Sequence, residues 1–324
     1  MAGVLRSFLR LSLLYFLVMV GLILVLRDNP LQYFVNMMLV PLAHWSALQA
    51  LLPYLAALVL LFLLLSRLKL SLDMLRNLVL AAFASLLIAY SFGALKASLP
   101  QVFPFYADRF FADVDRQLHF GTDPWVLTHA LSSFIPTGLA TTFYLTIWSI
   151  PAFVFPMFLV LVDRDPARVS RFLLLYLLTW IGLGNVLALA GLSVGPVYFD
   201  RYMGGTEFAG LTEALNTNQV SSTIFGMIQQ DLWHFLIDRN QEIGTGISAF
   251  PSVHVGIATV IALYGIERGL IWAIPGVLFC AIILFLSVYL GWHYAVDGYF
   301  SILFLTGIWR LRCHLPFNAA DPAV

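Results

Sequence analysis

Apolar residues in this chain fall in long blocks rather than at amphipathic spacing, and the blocks are separated by short polar stretches. Crossing a bilayer as a helix takes about 20 apolar residues. Stretches of roughly that length lie near 9–26, 47–66, 73–94, 138–161, 171–194, 252–268, 270–290 and 293–311. The block 31–45 is apolar but shorter and broken by Pro30 and Pro41, so an interfacial or re-entrant piece is expected there. The pattern predicts an all-α fold, a polytopic membrane helix bundle. Two N-terminal transmembrane helices (1–72) precede a six-helix membrane domain (73–324). No Gly/Ser-rich linker, repeat or low-complexity segment divides the chain.

Composition supports the membrane assignment. Of 324 residues 61% are hydrophobic and 10% charged, where a soluble domain would carry about a quarter charged. The formal net charge of zero gives no argument for nucleic acid. Cys280 and Cys313 lie in or beside apolar stretches and suggest neither a disulfide framework nor a metal site. The first block follows Arg6 and Arg10, as a secretory signal would. No small-x-small cleavage site precedes Asp28, however, so an uncleaved signal-anchor is expected.

Basic residues set the expected sidedness. With the N-terminus inside, Arg6, Arg10, Arg67, Lys69, Arg76, Arg164, Arg168, Arg171, Arg268, Arg310 and Arg312 are cytoplasmic. Arg27, Lys96, Arg109, Arg116, Arg201 and Arg239 are then outside. The long loops 95–137 and 197–251 are also external, as are six of the seven histidines, His314 being the exception. Chemistry is therefore expected on the external face. Compact size and scarce lysine suggest a bacterial inner membrane, with both termini cytoplasmic and the active site periplasmic.

Two segments carry candidate chemistry, each where a spanning helix begins. In Ser248-Ala-Phe-Pro-Ser-Val-His254, Pro251 suits the opening position of a helix. The N–H groups of Ser252 and Val253 are then free to bind phosphate, and His254 lies one turn in. A plain helix start with a surface histidine would read the same way. In Gly291-Trp-His-Tyr-Ala-Val-Asp297, His293 and Asp297 are four apart and share a helical face. Helical side chains lean toward the N-terminus, which aims the carboxylate at the imidazole. That fixes the tautomer and leaves the second nitrogen free to attack. A carboxylate in an apolar helix is costly and marks function, although a structural buried pair remains an alternative. His254, His293 and Asp297 are residue types that also ligate zinc, but no H-E-x-x-H or paired-cysteine pattern accompanies them.

Pro251-Ser-Val-His254 and Gly291-Trp-His-Tyr-Ala-Val-Asp297 resemble the P-S-x-H and G-x-H-Y-x-x-D motifs of the type 2 phosphatidic acid phosphatase superfamily. Order, spacing and placement agree over roughly the last 250 residues. The resemblance implies metal-independent chemistry without a cofactor. His293 would form a phosphohistidine held by Asp297, His254 would serve as acid and then base, and Ser252 would hold a phosphoryl oxygen. Phosphatases of the superfamily carry an arginine six residues before the nucleophile, where this chain has Ser287. They also carry a K-x6-R-P motif, which this chain lacks. Gly195-Pro-Val-Tyr-Phe-Asp-Arg201 in that region, and Asp115-Arg-Gln-Leu-His-Phe-Gly-Thr-Asp-Pro-Trp125, are more similar to the branch of inositol phosphorylceramide synthase and sphingomyelin synthase.

Fewer cations suit a singly charged phosphodiester better than a doubly charged monoester. The expected activity is therefore transfer of a phospho-head-group, inositol-phosphate-like, from a phospholipid donor to a hydroxyl lipid. The alternative is a lipid phosphate phosphatase acting on a monoester or pyrophosphate lipid, and a transporter or scaffold is the non-enzymatic reading. Arg201 is the candidate phosphate cation, ahead of Arg239, Arg109 and Arg116, with Tyr198 and Gly291 as further substrate-binding candidates. Segment 101–126, rich in aromatic and charged residues, is expected to lie in the interface. His119, His129 and His234 are expected to be interfacial, not catalytic.

Overall fold

The computed structural model describes residues 1–43, 71–238 and 243–314. Among these residues the chain is helix and loop, without a strand. The candidate helix 47–66 and Arg239 lie outside them, as does the side chain of His314.

Helix α1 (Ala2–Leu26) and α2 (Pro30–Ala43) open the chain, followed by α3 (Leu72–Lys96). The block expected to be broken by Pro30 and Pro41 is helical: Pro30 is its first residue, where a missing N–H costs nothing, and Pro41 lies in its last turn. Ser71 caps α3 by accepting the Met74 N–H. The buried face of α3 carries small residues, Ala81, Ala84, Ser91 and Ala94, and α1 packs closely along it. The ends of α1 and α3 meet, with Arg27 donating to the Ala97 carbonyl and to Ser98 Oγ.

An amphipathic helix α4 (Asp108–Leu118) precedes the next two long segments. These are α5 (Thr137–Val162) and α6 (Pro166–Ala190). Both contain a π-helical stretch, Phe143–Ile147 and Leu178–Leu187 respectively. Asp165 caps α6, and Pro166 follows it at the first helical position. The loop after α6 holds α7 (Pro196–Met203), α8 (Ala209–Thr217) and α9 (Ile224–Ile237). Three helices close the fold: α10 (Val253–Arg268), α11 (Leu270–Tyr289) and α12 (Ala295–His314).

Among the described residues five helical segments are long and apolar enough to cross a membrane: Ala2–Leu26, Leu72–Val102, Thr137–Val162, Pro166–Ala190 and Leu270–Tyr289. Their outward faces expose Leu17, Val25, Leu86, Ile271 and Leu278, as lipid contact requires. α10 and α12 are more buried or more charged, yet they pack against the same bundle.

The two ends of the bundle differ. At one, Arg168 makes a bidentate pair with Asp163 (2.6 and 3.0 Å) that Tyr264 also joins. Arg171 pairs with Glu267 there (2.6 and 2.8 Å), and the Trp309 indole donates to the same carboxylate. The starts of α10 and α12, the end of α3 and the loop helices α7–α9 gather at the other end. Both histidine-bearing segments are there.

Candidate active site

His293 lies in the turn between α11 and α12, and Asp297 in the first turn of α12. His293 Nδ1 is 3.2 Å from Asp297 Oδ2, and both side chains are buried. The Tyr294 N–H donates to the same carboxylate oxygen at 3.0 Å. A carboxylate only accepts, so Nδ1 carries the proton and Nε2 keeps its lone pair. Gly291 shapes the approach: its φ of +75° turns the chain where a side chain would be strained. Its carbonyl accepts the Val197 N–H (2.9 Å), and it does not line the site cavity.

His254 sits in the first turn of α10. Its ring is held between Trp148 (centroids 3.9 Å apart) and Tyr144 (4.4 Å, 11° between planes). Tyr144 lies in the π-helical stretch of α5 and Trp148 directly after it, so the two aromatics four residues apart both reach the His254 ring, a use of such stretches often seen at functional sites. Trp148 Nε1 also donates to the His254 carbonyl at 3.0 Å. The His254 and His293 rings lie 6.2 Å apart, tilted by 59°. Both face one cavity of about 560 Å³, counting its open mouth. That is room for a phosphate group and the first atoms of an ester.

The two segments are tied directly to each other. The Ser252 N–H donates to the Asp297 carbonyl (3.2 Å), and Ser301 Oγ bridges the Ser252 and Asp297 carbonyls (3.0 and 2.9 Å). Two expectations change here. Pro251 precedes the helix instead of opening it; Ser252 is the N-cap, its Oγ accepting the Val255 N–H at 3.3 Å. The Ser252 N–H is thus already bonded, its hydroxyl caps α10, and Ser252 does not line the cavity.

Helix α4 holds both segments from behind. Asp115 accepts the N–H groups of Ala295 (2.7 Å) and Val296 (2.8 Å), closing the start of α12. Asp108 accepts from Val194 and Gly195, both at 2.9 Å, and from the Tyr294 hydroxyl at 3.0 Å. The strand-like segment so fixed pairs with the one before His254: Ala249 N–H donates to the Ser193 carbonyl and Phe250 N–H to Ser193 Oγ. Burial pushes the Asp115 carboxyl up to about 6, with the Val296 and Ala295 N–H groups pulling against it. Asp108 is raised for the same first reason. Segment 101–126 is therefore more than a border to the bilayer. Asp108 and Asp115 stand seven apart on a strongly amphipathic helix, and that spacing was the available signal.

The remaining candidates are distributed as follows. Tyr198 lines the cavity and donates to the Gln229 carbonyl at 2.8 Å. Arg201 is exposed, its guanidinium 5.9 Å over Trp233, and it lines a neighbouring cleft, not this cavity. Arg116 is spent on Asp123 (3.0 Å) and Glu207 (2.9 Å), and Arg109 is exposed on α4. His129 donates from Nε2 to the Tyr289 carbonyl (2.8 Å) and stacks on that ring. His119 bridges the Asp115 carbonyl and the Tyr299 hydroxyl. Lys96, which the sequence reading passed over, does line the cavity. Among the described residues no group of three His, Cys, Asp or Glu side chains is arranged to hold a metal ion.

A buried His–Asp pair and a second histidine thus meet at one end of an apolar helical bundle whose long helices are apolar enough to cross a membrane. The PAP2 superfamily, that of type 2 phosphatidic acid phosphatases, matches residues 109–311, well over half the chain, and the chain belongs to it. No curated protein and no solved structure matches the chain. Membership brings the superfamily's general activity, lipid phosphatase or phosphotransferase chemistry on a membrane-embedded helical protein.

Proposed function

We propose that the chain cleaves a lipid phosphate ester at the membrane surface, through a covalent phosphohistidine on His293, with water as the acceptor. The supporting observation is the 3.2 Å contact of His293 Nδ1 with Asp297, beside a cavity that also receives the His254 ring. The Nε2 lone pair of His293 attacks phosphorus as the bond to the leaving oxygen breaks. His254 gives that oxygen a proton, and Asp297 stabilises the imidazolium through Nδ1–H. In the second step His254 takes a proton from water, whose oxygen attacks phosphorus and breaks the P–N bond. Orthophosphate and a hydroxyl lipid leave.

Superfamily membership supports hydrolysis more directly than the transfer expected from sequence. One observation favours transfer as a second reading. Among the described residues the cavity is lined by one lysine and no arginine, and Ser287 stands six residues before His293. So little positive charge suits a singly charged diester, from which an intact head group would pass to a hydroxyl lipid. The basic-residue bias supports an external, periplasmic site in a bacterial inner membrane.

Purified protein given radiolabelled lipid phosphate should release orthophosphate and form an acid-labile phosphoprotein. His293→Ala should lower turnover at least about a thousandfold with thermal stability nearly unchanged. Retained turnover in that variant would end the phosphohistidine reading, and label moving intact to another lipid would select transfer.

A further inference from the structure

His254 must carry a positive charge to do what the proposed function asks of it, since it starts as the proton donor and regains that proton from the acceptor. Among the described residues its ring forms no ion pair and no hydrogen bond, whereas His293 has Asp297 at 3.2 Å. The titratable groups around it are Lys96 from α3, Tyr144 from α5, Tyr198 from α7, and His293 and Asp297 around the start of α12. The carboxylate among them is already engaged by His293 and by the Tyr294 N–H. A charge in an apolar, aromatic surrounding is costly without a partner.

What the His254 ring does have is two π faces. Trp148 lies 3.9 Å from it between centroids, at 29°, and Tyr144 lies 4.4 Å away at 11°. Both are well inside the roughly 6 Å at which an aromatic face attracts a cation. Tyr144 is wholly buried, and Phe225 (6.0 Å, 78°) and Trp292 (6.1 Å, 81°) brace its ring edge-on. Its hydroxyl has no hydrogen-bond partner among the described residues. The face is thus the part of Tyr144 that meets His254. Trp148 adds a second tie, its Nε1–H donating to the His254 carbonyl at 3.0 Å, so Tyr144 is the cleaner probe of the stacking.

We propose that Tyr144 and Trp148 are positioning residues that hold protonated His254 by its two faces, an aromatic cage standing where His293 has a carboxylate. Cation–π attraction favours the imidazolium over the neutral ring and so sets the pH up to which His254 can act as the acid. Because the cage grips the faces, both ring nitrogens stay free in the plane, and an N–H can reach the leaving oxygen. The inference rests on the proposed function for its effect on turnover but not for its effect on the charge of the ring, so the two can fail separately.

Phenylalanines carrying one, two or three ring fluorines in place of Tyr144 nearly keep the shape of the ring while weakening its π face in steps. Two quantities are measured in detergent. One is kcat/KM on a lipid phosphate against pH. The other is the protonation of His254, by NMR of nitrogen-labelled histidine, its signal assigned by its loss in His254→Asn. Tyr144→Phe should titrate close to wild type. Each added fluorine should lower the His254 midpoint, by about one pH unit over the series, with the alkaline limb of kcat/KM moving down in step. Tyr144→Leu, which removes the face, should lie at or beyond the end of that series, and Phe at the same position should recover most of what Leu loses. A midpoint indifferent to the fluorine count would overturn the cage, and with turnover present would leave the phosphohistidine reading intact. A midpoint that follows the count in a protein without turnover would uphold the cage and sink that reading. Tyr144→Leu with a lower melting temperature and an unmoved pH profile would reduce Tyr144 to a space-filling residue and overturn the proposal.

Discussion

Asp115 joins two roles that pull in opposite directions. Its oxygens close the N-terminus of α12 through Ala295 and Val296, two residues beyond His293. Burial lifts its carboxyl to about 6 from a usual value near 4. A carboxyl more easily protonated in the folded protein than in the unfolded chain favours folding while it holds its proton. Its contribution is full below about pH 4 and is lost as pH rises through about 6. Asparagine at this position cannot titrate. The melting temperature of wild type minus that of Asp115→Asn should therefore fall between about pH 4 and pH 6 and then level off. A difference that stays flat across this range would show that the carboxylate is not penalised by burial. Asp115→Ala, which also strips both N–H groups of their acceptor, should cost about 1–3 kcal/mol and lower kcat, because the start of α12 carries the His293–Asp297 pair.

At the scale of elements, local signals were read well where they act locally and badly where tertiary contacts decide. Ends such as Leu270–Tyr289 and Leu72–Lys96 follow the apolar blocks within a few residues. Pro30 was read as a breaker and is a helix opener, while Pro251 was read as an opener and precedes the cap. Each choice depends on which neighbour can cap the free N–H groups. The helix expected at 171–194 is α6, which starts five residues earlier, at Pro166, and ends at Ala190; Asp165 caps it and Arg168 in its first turn pairs with Asp163 at the bundle end. Nothing local marks Lys96 as belonging to the cavity, and the spacing of Asp108 and Asp115 does not tell what they bond, since the bonds of Asp115 to Ala295 and Val296 cross 180 and 181 residues of sequence. The loop 243–249 shows how such distant pieces are held. At Gly246 the obstacle to a side chain is backbone, at 2.5 Å, so it cannot swing aside. Gly246→Ala should push the loop off the end of α3, costing about 1–3 kcal/mol and lowering kcat/KM by deforming the cavity wall to which both Gly246 and Lys96 belong. A variant unchanged in both melting temperature and kcat/KM would mean that the two segments can part without consequence.

For the whole molecule, five of the eight expected spans coincide with helices long and apolar enough to cross, because a bilayer imposes a length and a composition that few other environments require; 252–268 and 293–311 do not meet that measure, and 47–66 lies outside the described residues. The two motif segments were legible because each is short and lies at one helix start; the lysine on the cavity wall and the supporting aspartates were not, being brought in from helices far apart in sequence. The proposed sidedness remains a property of the whole chain, since eleven basic residues expected on one side and six on the other pull collectively. Two positions at opposite ends of the bundle can read it. Cys313 is exposed, next to Glu267 at the end away from the histidines, while Cys280 is buried. Thr206 is exposed at the site end, beside Glu207, which pairs with Arg116. In intact cells a membrane-impermeant maleimide should leave Cys313 unlabelled until the membrane is permeabilised. It should label Thr206→Cys at once in a Cys313→Ser background. The reverse pattern would put the cavity on the cytoplasmic side and require its lipid substrate to come from the inner leaflet. The expected pattern requires supply from the outer leaflet, so that turnover of a lipid made inside would wait on its translocation.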